Sequence, residues 1–230
     1  QGAGVLLGHG QKFGCAIPQV GEAAPLVVML ESGSSDSAAD SGLVTLRSFS
    51  PSSGFGKAPL ASWRVPGVPV QALPLAPEPQ IAVLCRGSLG VYLVVVHLQT
   101  REVVADVMLS ALGDPARGPG APVEMALFND AARLLVLTSG FSLESPGGEQ
   151  RTWLHQVDTT RFEIVEEAQE FPGAAQTPSQ SLWPLANGAC WLATMSPGEG
   201  FAYLYRLPLA HPAPRAVEQP FTSVAGPLRV

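Results

Sequence analysis

The sequence predicts an all-β fold built from about four four-stranded antiparallel meanders. Two observations predict it. Short apolar runs that resemble strands recur about every 55 residues, which is typical of a repeated supersecondary unit. The 24 glycines and 22 prolines of the 230-residue chain are spread between these runs, as many short strands separated by turns require.

The clearest part of each repeat is a short apolar run bounded by turn residues, which predicts a buried strand. The four runs are Pro25–Leu30, Gln80–Cys85, Arg133–Thr138 and Ala189–Thr194. Aligning their centres places Val28, Val83, Val136 and Leu192 at the same position of the repeat. We therefore expect these four residues to occupy equivalent, buried positions.

Weaker strands flank each central run. The preceding strands are Phe13–Ile17, Val70–Leu75, Val123–Phe128 and Ser181–Leu185, and the following ones are Leu43–Phe49, Leu93–Leu98, Thr152–Val157 and Phe201–Leu207. A fourth strand is predicted at Leu60–Val65, Glu102–Val107, Phe162–Glu166 and Ala216–Gln219. Asn187-Gly188 is a strong hairpin signal. Helical periodicity is poor, and the alternation in Arg161–Glu170 favours a strand over a helix.

One four-stranded meander leaves its faces uncovered, and stacking neighbouring meanders around an axis buries them, which predicts a β-propeller-like array. In blade rhythm the chain resembles the WD40-like and quinoprotein-like propeller superfamily, most clearly in Pro69–Val104 and Pro122–Val165. Gly8-His9 occurs once, and the Trp-Asp pair of that family is missing. We expect residues 1–230 to form a single propeller-like domain, complete, partial or joined to a larger assembly. A β-sandwich is the structural alternative.

Composition excludes some classes of partner. The net charge is -6 and the only lysines are Lys12 and Lys57, so no basic patch for nucleic acid is expected. Apolar runs such as Val91–Val96 are far shorter than the roughly 20 residues that span a bilayer, which predicts a soluble chain without membrane insertion. The odd number of cysteines, Cys15, Cys85 and Cys190, in apolar strands indicates buried free thiols. This slightly favours an intracellular location, although a removed targeting segment stays open.

The residues that could bind a metal show no supporting pattern. The histidines are His9, His97, His155 and His211, and no two are close enough in sequence to form a local pair. His97 and His155 fall in the third strands of neighbouring repeats, where we expect ordinary strand residues. Asp36 and Asp40 lie in a Ser/Gly-rich loop without the spacing of a calcium-binding loop. No metal ligand and no cofactor are predicted.

Catalytic patterns are equally lacking. The chain has no nucleophile elbow, no phosphate-binding loop and no dinucleotide glycine pattern, so no catalytic or cofactor-binding residue is predicted. Asp158, Thr159 and Thr160 fit a polar turn. The acidic residues Glu163, Glu166, Glu167 and Glu170 fit a solvated strand edge. The four tryptophans, Trp63, Trp153, Trp183 and Trp191, are expected in the core and not in a sugar-binding platform.

These observations favour a non-enzymatic scaffold for protein–protein interactions, acting as a subunit of a larger complex with protein partners. The loops Gly113–Ala121 and Phe171–Ser179 are the expected contact loops, because proline lowers the entropy lost when a loop docks. The alternative is a propeller enzyme, or a protein that binds a small molecule or sugar, whose site is formed by assembled loops. Fold alone cannot choose between the two.

Overall fold

The computed structural model describes residues 11–17, 25–32, 41–111, 120–128, 132–141, 149–175, 181–185, 189–195 and 202–208. Within these ranges every regular element is a strand, as predicted. The strands are β1 Gln11–Ile17, β2 Leu26–Ser32, β3 Ser41–Ser50, β4 Gly54–Phe55, β5 Ala61–Pro66, β6 Val68–Leu75, β7 Gln80–Arg86, β8 Gly90–His97, β9 Val103–Ala111, β10 Gly120–Phe128, β11 Arg133–Phe141, β12 Gln150–Asp158, β13 Gln169–Pro172, β14 Leu182–Pro184, β15 Ala189–Met195 and β16 Ala202–Pro208.

The strands form four antiparallel sheets in chain order. Sheet 1 has the order β1-β2-β3-β4 with β5 also paired to β3, sheet 2 is β6-β7-β8-β9, sheet 3 is β10-β11-β12-β13, and sheet 4 is β14-β15-β16. Consecutive strands within a sheet are therefore neighbours, except that β4 and β5 both pair with β3, and the predicted all-β, propeller-like array of four meanders is confirmed. Asn187-Gly188 and Ala216–Gln219 lie outside the described residues.

The chain divides into two compact units, Gln1–Met108 and Leu109–Val230. In the first unit, apolar residues from the facing sides of sheets 1 and 2 share one core, which includes Leu30, Leu46, Ile81 and Val96. In the second unit, sheets 3 and 4 share a core that includes Leu137, Leu154, Cys190 and Leu192. The single domain predicted over residues 1–230 stays a prediction.

The four aligned residues are all fully buried, but one of them is out of register. Val28 of sheet 1 and Val83 of sheet 2 point into the same core between their sheets. In a stack of repeated sheets, residues at the same position of the repeat lie on the same side of their own sheets. Two such residues therefore cannot both point into the core between those two sheets. In the second unit, Leu192 points into the core between sheets 3 and 4 and Val136 does not, which is the pattern expected if these two residues are equivalent. The predicted alignment is therefore wrong by one residue at Val28, and in a strand one residue exchanges the two faces.

The fourth strand of sheet 3 also differs from the prediction. It is Gln169–Pro172, whereas Phe162–Glu166 contributes only the bridge between Val157 and Ile164. The physical reason is the turn after β12. The amide of Phe162 donates to the carbonyl of Asp158 at 2.8 Å, and Phe162 has a φ of 54°. The turn takes up Phe162 of the predicted strand, and residues 163–165 follow as an irregular segment joined to β12 by two backbone hydrogen bonds.

The turn after β8 repeats the turn after β12. Arg101 has a φ of 63°, and its amide donates to the carbonyl of His97 at 2.9 Å. Nδ1 of His97 accepts the amides of Gln99 and Thr100, just as Oδ1 of Asp158 accepts two amides in its own turn. His97 and Asp158 are therefore equivalent residues of the repeat with the same structural role.

Two Pro-Gly pairs mark the points at which the chain passes from one sheet to the next. Pro66-Gly67 ends sheet 1 and Pro172-Gly173 ends sheet 3, with positive φ of 73° at Gly67 and 81° at Gly173. A Cβ on Gly67 would overlap the carbonyl of Arg86, and a Cβ on Gly173 would overlap that of Met195. Both carbonyls lie at the end of the second strand of the next sheet, so glycine permits the close approach.

We predict that Val136→Asp abolishes folding, because Val136 has 0% exposure and an aspartate there buries an unpaired charge. Circular dichroism and thermal melting measure the effect. Phe141→Asp is the matched control on the same strand, since Phe141 is 54% exposed. A cooperatively melting Val136→Asp protein would show that sheet 3 is packed differently.

We predict that Gly67→Ala lowers the free energy of unfolding much more than Gly54→Ala. The two glycines have the same φ of 73°, but a Cβ at Gly54 has no neighbour within 4 Å. Gly54→Ala therefore adds only backbone strain, about 1 kcal/mol, whereas Gly67→Ala adds the overlap with Arg86 and costs roughly 3 kcal/mol. Urea unfolding measures both values, and equal losses would contradict the crossing-point geometry.

Candidate functional site

A pocket of about 250 Å³ lies on sheet 1, within the first unit. Its lining residues are Gln11, Met29, Arg47, Phe55, Gly56 and Lys57. They come from β1, β2, β3, β4 and the loop that follows β4. The pocket therefore combines a rigid sheet surface with one loop, which is a common arrangement for binding sites.

The pocket exists because β3 has different partners at its two ends. Over Ser41–Leu46 it pairs with β5, whereas Phe49 and Ser50 pair with the two-residue strand β4. The loop between these partners is tied back to β3, since the amide of Gly56 donates to the carbonyl of Ser48 at 2.9 Å. The loop thus lies over the edge of the sheet beside Arg47.

Arg47 is the best-positioned polar side chain of the pocket. Its Nη1 donates to the carbonyl of Gly56 at 3.0 Å and to that of Lys57 at 3.3 Å. These two bonds hold the guanidinium in place with one nitrogen. A guanidinium carries five N–H donors in a planar fork, so the other nitrogens stay available to an acceptor in the pocket.

The apolar part of the pocket is also fixed in position. The ring of Phe55 packs against that of Phe49 with centroids 5.3 Å apart and planes tilted by 55°. Met29 of β2 is buried and forms apolar lining. A ligand would therefore meet a preformed apolar surface beside the guanidinium.

The acidic residue on the same face of the sheet is already engaged. Oε1 of Glu31 accepts Nε2 of Gln11 at 3.0 Å and the hydroxyl of Thr45 at 3.5 Å. Among the residues that the structure describes, no carboxylate forms an ion pair with Arg47 or Lys57. The pocket therefore presents two positive charges that this part of the chain does not neutralise.

A second polar arrangement lies between sheets 3 and 4 of the second unit. Oε2 of Glu124 accepts the amides of Ser181 at 2.6 Å and Leu182 at 3.2 Å, so this carboxylate of β10 ties sheet 3 to the start of β14. Burial raises the pKa of Glu124, although the two amides oppose the shift. Glu124 is therefore a structural link between two sheets.

The cysteines are free and buried, as predicted. Burial raises the pKa of Cys15 to about 11 and those of Cys85 and Cys190 to about 12. A thiol in this state is not a nucleophile at neutral pH. The three cysteines act as small apolar residues of the cores.

The histidines described in the structure have local roles. His97 closes its turn, and Nε2 of His155 lies 3.0 Å from the hydroxyl of Thr138. Both Thr138 and His155 are buried, so no substrate reaches this pair. His9, His211, Asp36 and Asp40 lie outside the described residues. No group of three possible metal ligands occurs in the described ranges.

The polar turn and the acidic edge agree with the sequence-based expectations. The hydroxyl of Thr160 and the amides of Thr160 and Arg161 donate to Asp158 and hold its pKa below the ordinary value. The four glutamates Glu163, Glu166, Glu167 and Glu170 are exposed. Trp63 and Trp153 are buried as expected, whereas Trp183 is 37% exposed and Trp191 is only half-buried, so the core prediction is wrong for these two. Trp183 lies on the outer face of sheet 4, opposite Trp191.

The pocket was not predicted from the sequence. A single arginine in a strand carries no local signal, and its anchors are backbone carbonyls, which every residue has. Lys57 was noted only for the rarity of lysine. Most of the predicted contact loops, residues 113–119 and 176–179, lie outside the described residues.

The comparisons with known proteins are sparse. No protein-family model matches the chain, and no curated protein matches it. A solved structure with a similar fold is the acylaminoacyl peptidase of Pyrococcus horikoshii, at 10% sequence identity and a TM-score of 0.49. The match covers 85% of this chain and 30% of that one, so the chain spans under a third of that protein's length. No site or reaction is transferred from this likeness. No helix among the described residues is suited to cross a membrane.

One functional prediction requires correction. The non-enzymatic scaffold was favoured because catalytic motifs are lacking, but the similar solved structure belongs to a peptidase, and no finding supports a scaffold role. That prediction is therefore wrong and is not proposed again. Motifs were a poor guide because a site assembled from distant strands leaves no local signature.

We predict that Glu124→Gln changes how stability depends on pH, whereas Glu124→Leu destabilises. Since the folded-state pKa of Glu124 is raised, ionising it costs stability as the pH rises above its ordinary value. Glutamine keeps an acceptor without the charge, so its advantage over the native chain should grow between about pH 4 and pH 7. Leucine leaves two amides unpaired and costs about 1–3 kcal/mol. Urea unfolding at several pH values measures both effects.

Glu163→Gln is the matched control, because Glu163 is an exposed glutamate of the same unit. It should leave the pH profile unchanged. If Glu124→Gln and native chains had parallel profiles, the carboxylate of Glu124 would not be the buried acceptor described above.

Proposed function

We propose that this chain binds a small molecule in the pocket of sheet 1. The observation that carries the proposal is the fixed guanidinium of Arg47, held by two carbonyls beside an apolar wall. A site whose polar group is already in place loses little entropy when its ligand binds. At about 250 Å³ the pocket is just below the usual range of roughly 300–1,000 Å³, so its ligand is smaller than a typical drug.

The wider setting supports ligand binding at a sheet surface. Four consecutive antiparallel meanders support membership of the WD40-like or quinoprotein-like propeller superfamily, which stays a prediction. The described thiols and the Thr138–His155 pair are buried and do not line the pocket. Binding without turnover is therefore the function proposed for this pocket, and nucleic acid is not its proposed partner, since the net charge is -6.

The proposal predicts saturable binding of at least one small aromatic probe. We would titrate the ¹⁵N-labelled chain with phenylacetate, phenylacetamide and phenyl phosphate and follow the amides of Phe55, Gly56 and Lys57. Binding at about millimolar affinity corresponds to roughly -4 kcal/mol, which suits a small ligand. Shifts confined to the pocket are the expected result.

Phe55→Ala should weaken the binding, because it removes the apolar wall. Phe141→Ala is the matched control, since Phe141 is an exposed phenylalanine outside the pocket. Equal melting temperatures would show that both variants are folded. If no probe gives saturable shifts, or if Phe55→Ala binds as the native chain does, the pocket is not the site.

A further inference from the structure

We infer that the ligand of this pocket is a small organic anion whose carboxylate or phosphate group is bound by Arg47 and Lys57 and whose apolar group packs on Phe55. The inference rests on the proposed function and adds the chemical class of the ligand. Three features of the pocket support it: the geometry of Arg47, the unpaired charge of Lys57 and the position of the apolar wall.

Arg47 is arranged to accept an anion. Nη1 is used by the carbonyls of Gly56 and Lys57, and the described residues offer no partner to Nη2 or Nε. A carboxylate or phosphate binds a guanidinium through two parallel N–H···O bonds. Because the guanidinium is planar, fixing Nη1 also fixes the direction in which Nη2 and Nε donate. The carbonyls therefore orient the side chain without neutralising its charge.

Lys57 adds a second positive charge to the same pocket. It is exposed, and no described carboxylate lies within ion-pair distance of it. Glu31 accepts hydrogen bonds from Gln11, which lines the pocket, and from Thr45, and its carboxylate is not within ion-pair distance of Arg47 or Lys57. A single carboxylate cannot balance two cations, so an anion from solution completes the charge balance.

The apolar wall defines the rest of the ligand. Phe55 is held against Phe49 and supplies the accessible apolar surface, whereas Met29 is buried and contributes almost none, so the surface is in place before binding. An inorganic ion would leave this surface in water, whereas an apolar group attached to the anion would cover it. The pocket therefore fits an anion that carries a compact apolar or aromatic group.

The test separates charge from shape. Phenylacetate and its neutral isostere phenylacetamide are titrated at low salt into the full chain, and the affinities are measured by calorimetry or amide shifts. Phenylacetate should bind about tenfold more tightly, since a charge-assisted hydrogen bond contributes about twice as much as a neutral one. Phenyl phosphate should likewise bind more tightly than inorganic phosphate.

Variants assign the effect to the two cations. Arg47→Met and Lys57→Met should each reduce the preference for phenylacetate, and Arg47→Lys should recover only part of it because the planar fork is lost. The controls are Arg64→Met and Lys12→Met, exposed cations of the same sheet that do not line the pocket. Lys57→Met leaves the Arg47 hydrogen bonds intact, so it stays informative if Arg47→Met unfolds the loop.

Each outcome has one meaning. If phenylacetamide binds as tightly as phenylacetate, the inference that the ligand is an anion is wrong, while the proposal of small-molecule binding stands. If inorganic phosphate matches phenyl phosphate, the apolar half of the inference is wrong. If the control variants lose the preference equally, Arg47 and Lys57 are not its source. If none of these probes binds at all, the proposed function fails together with the inference.

Discussion

The structure depends on the burial of apolar sheet faces against one another. A four-stranded meander satisfies its internal hydrogen bonds, but its apolar face remains in water until a second sheet covers it. Sheets 1 and 2 solve this in the first unit with one shared core, and sheets 3 and 4 do so in the second. Apolar strands recur along the chain because each sheet needs an apolar face to pack against the next.

Covering one sheet with the next constrains the backbone where the chain leaves the first sheet. The chain must turn sharply beside the end of the second strand of the following sheet, and at Gly67 and Gly173 a side chain has no space. The same Pro-Gly pair occurs at both points, and the same turn geometry follows β8 and β12. The repeats of this chain therefore resemble one another in their turns and crossing points, even where their strands share little sequence.

The pocket is a local consequence of this architecture. The end of β3 extends beyond β5 and pairs with a two-residue strand, so the intervening loop folds back over the sheet surface. The carbonyls of Gly56 and Lys57 then accept hydrogen bonds from Arg47, and the ring of Phe55, in β4, packs on Phe49. Polar groups in the second unit serve packing instead, as Glu124 shows by joining β10 to β14 through two amides.

The sequence by itself determined the fold class, the central strands and the buried, unpaired state of the three cysteines, because these follow from local alternation and apolar content. It did not determine the register of Val28 or the place of β13, because a shift of one residue exchanges the faces of a strand and only packing selects the face. It also left Arg47 and Lys57 without a role. Their pocket depends on backbone carbonyls and on an aromatic pair brought together by tertiary structure, and neither kind of contact is written in residue spacing.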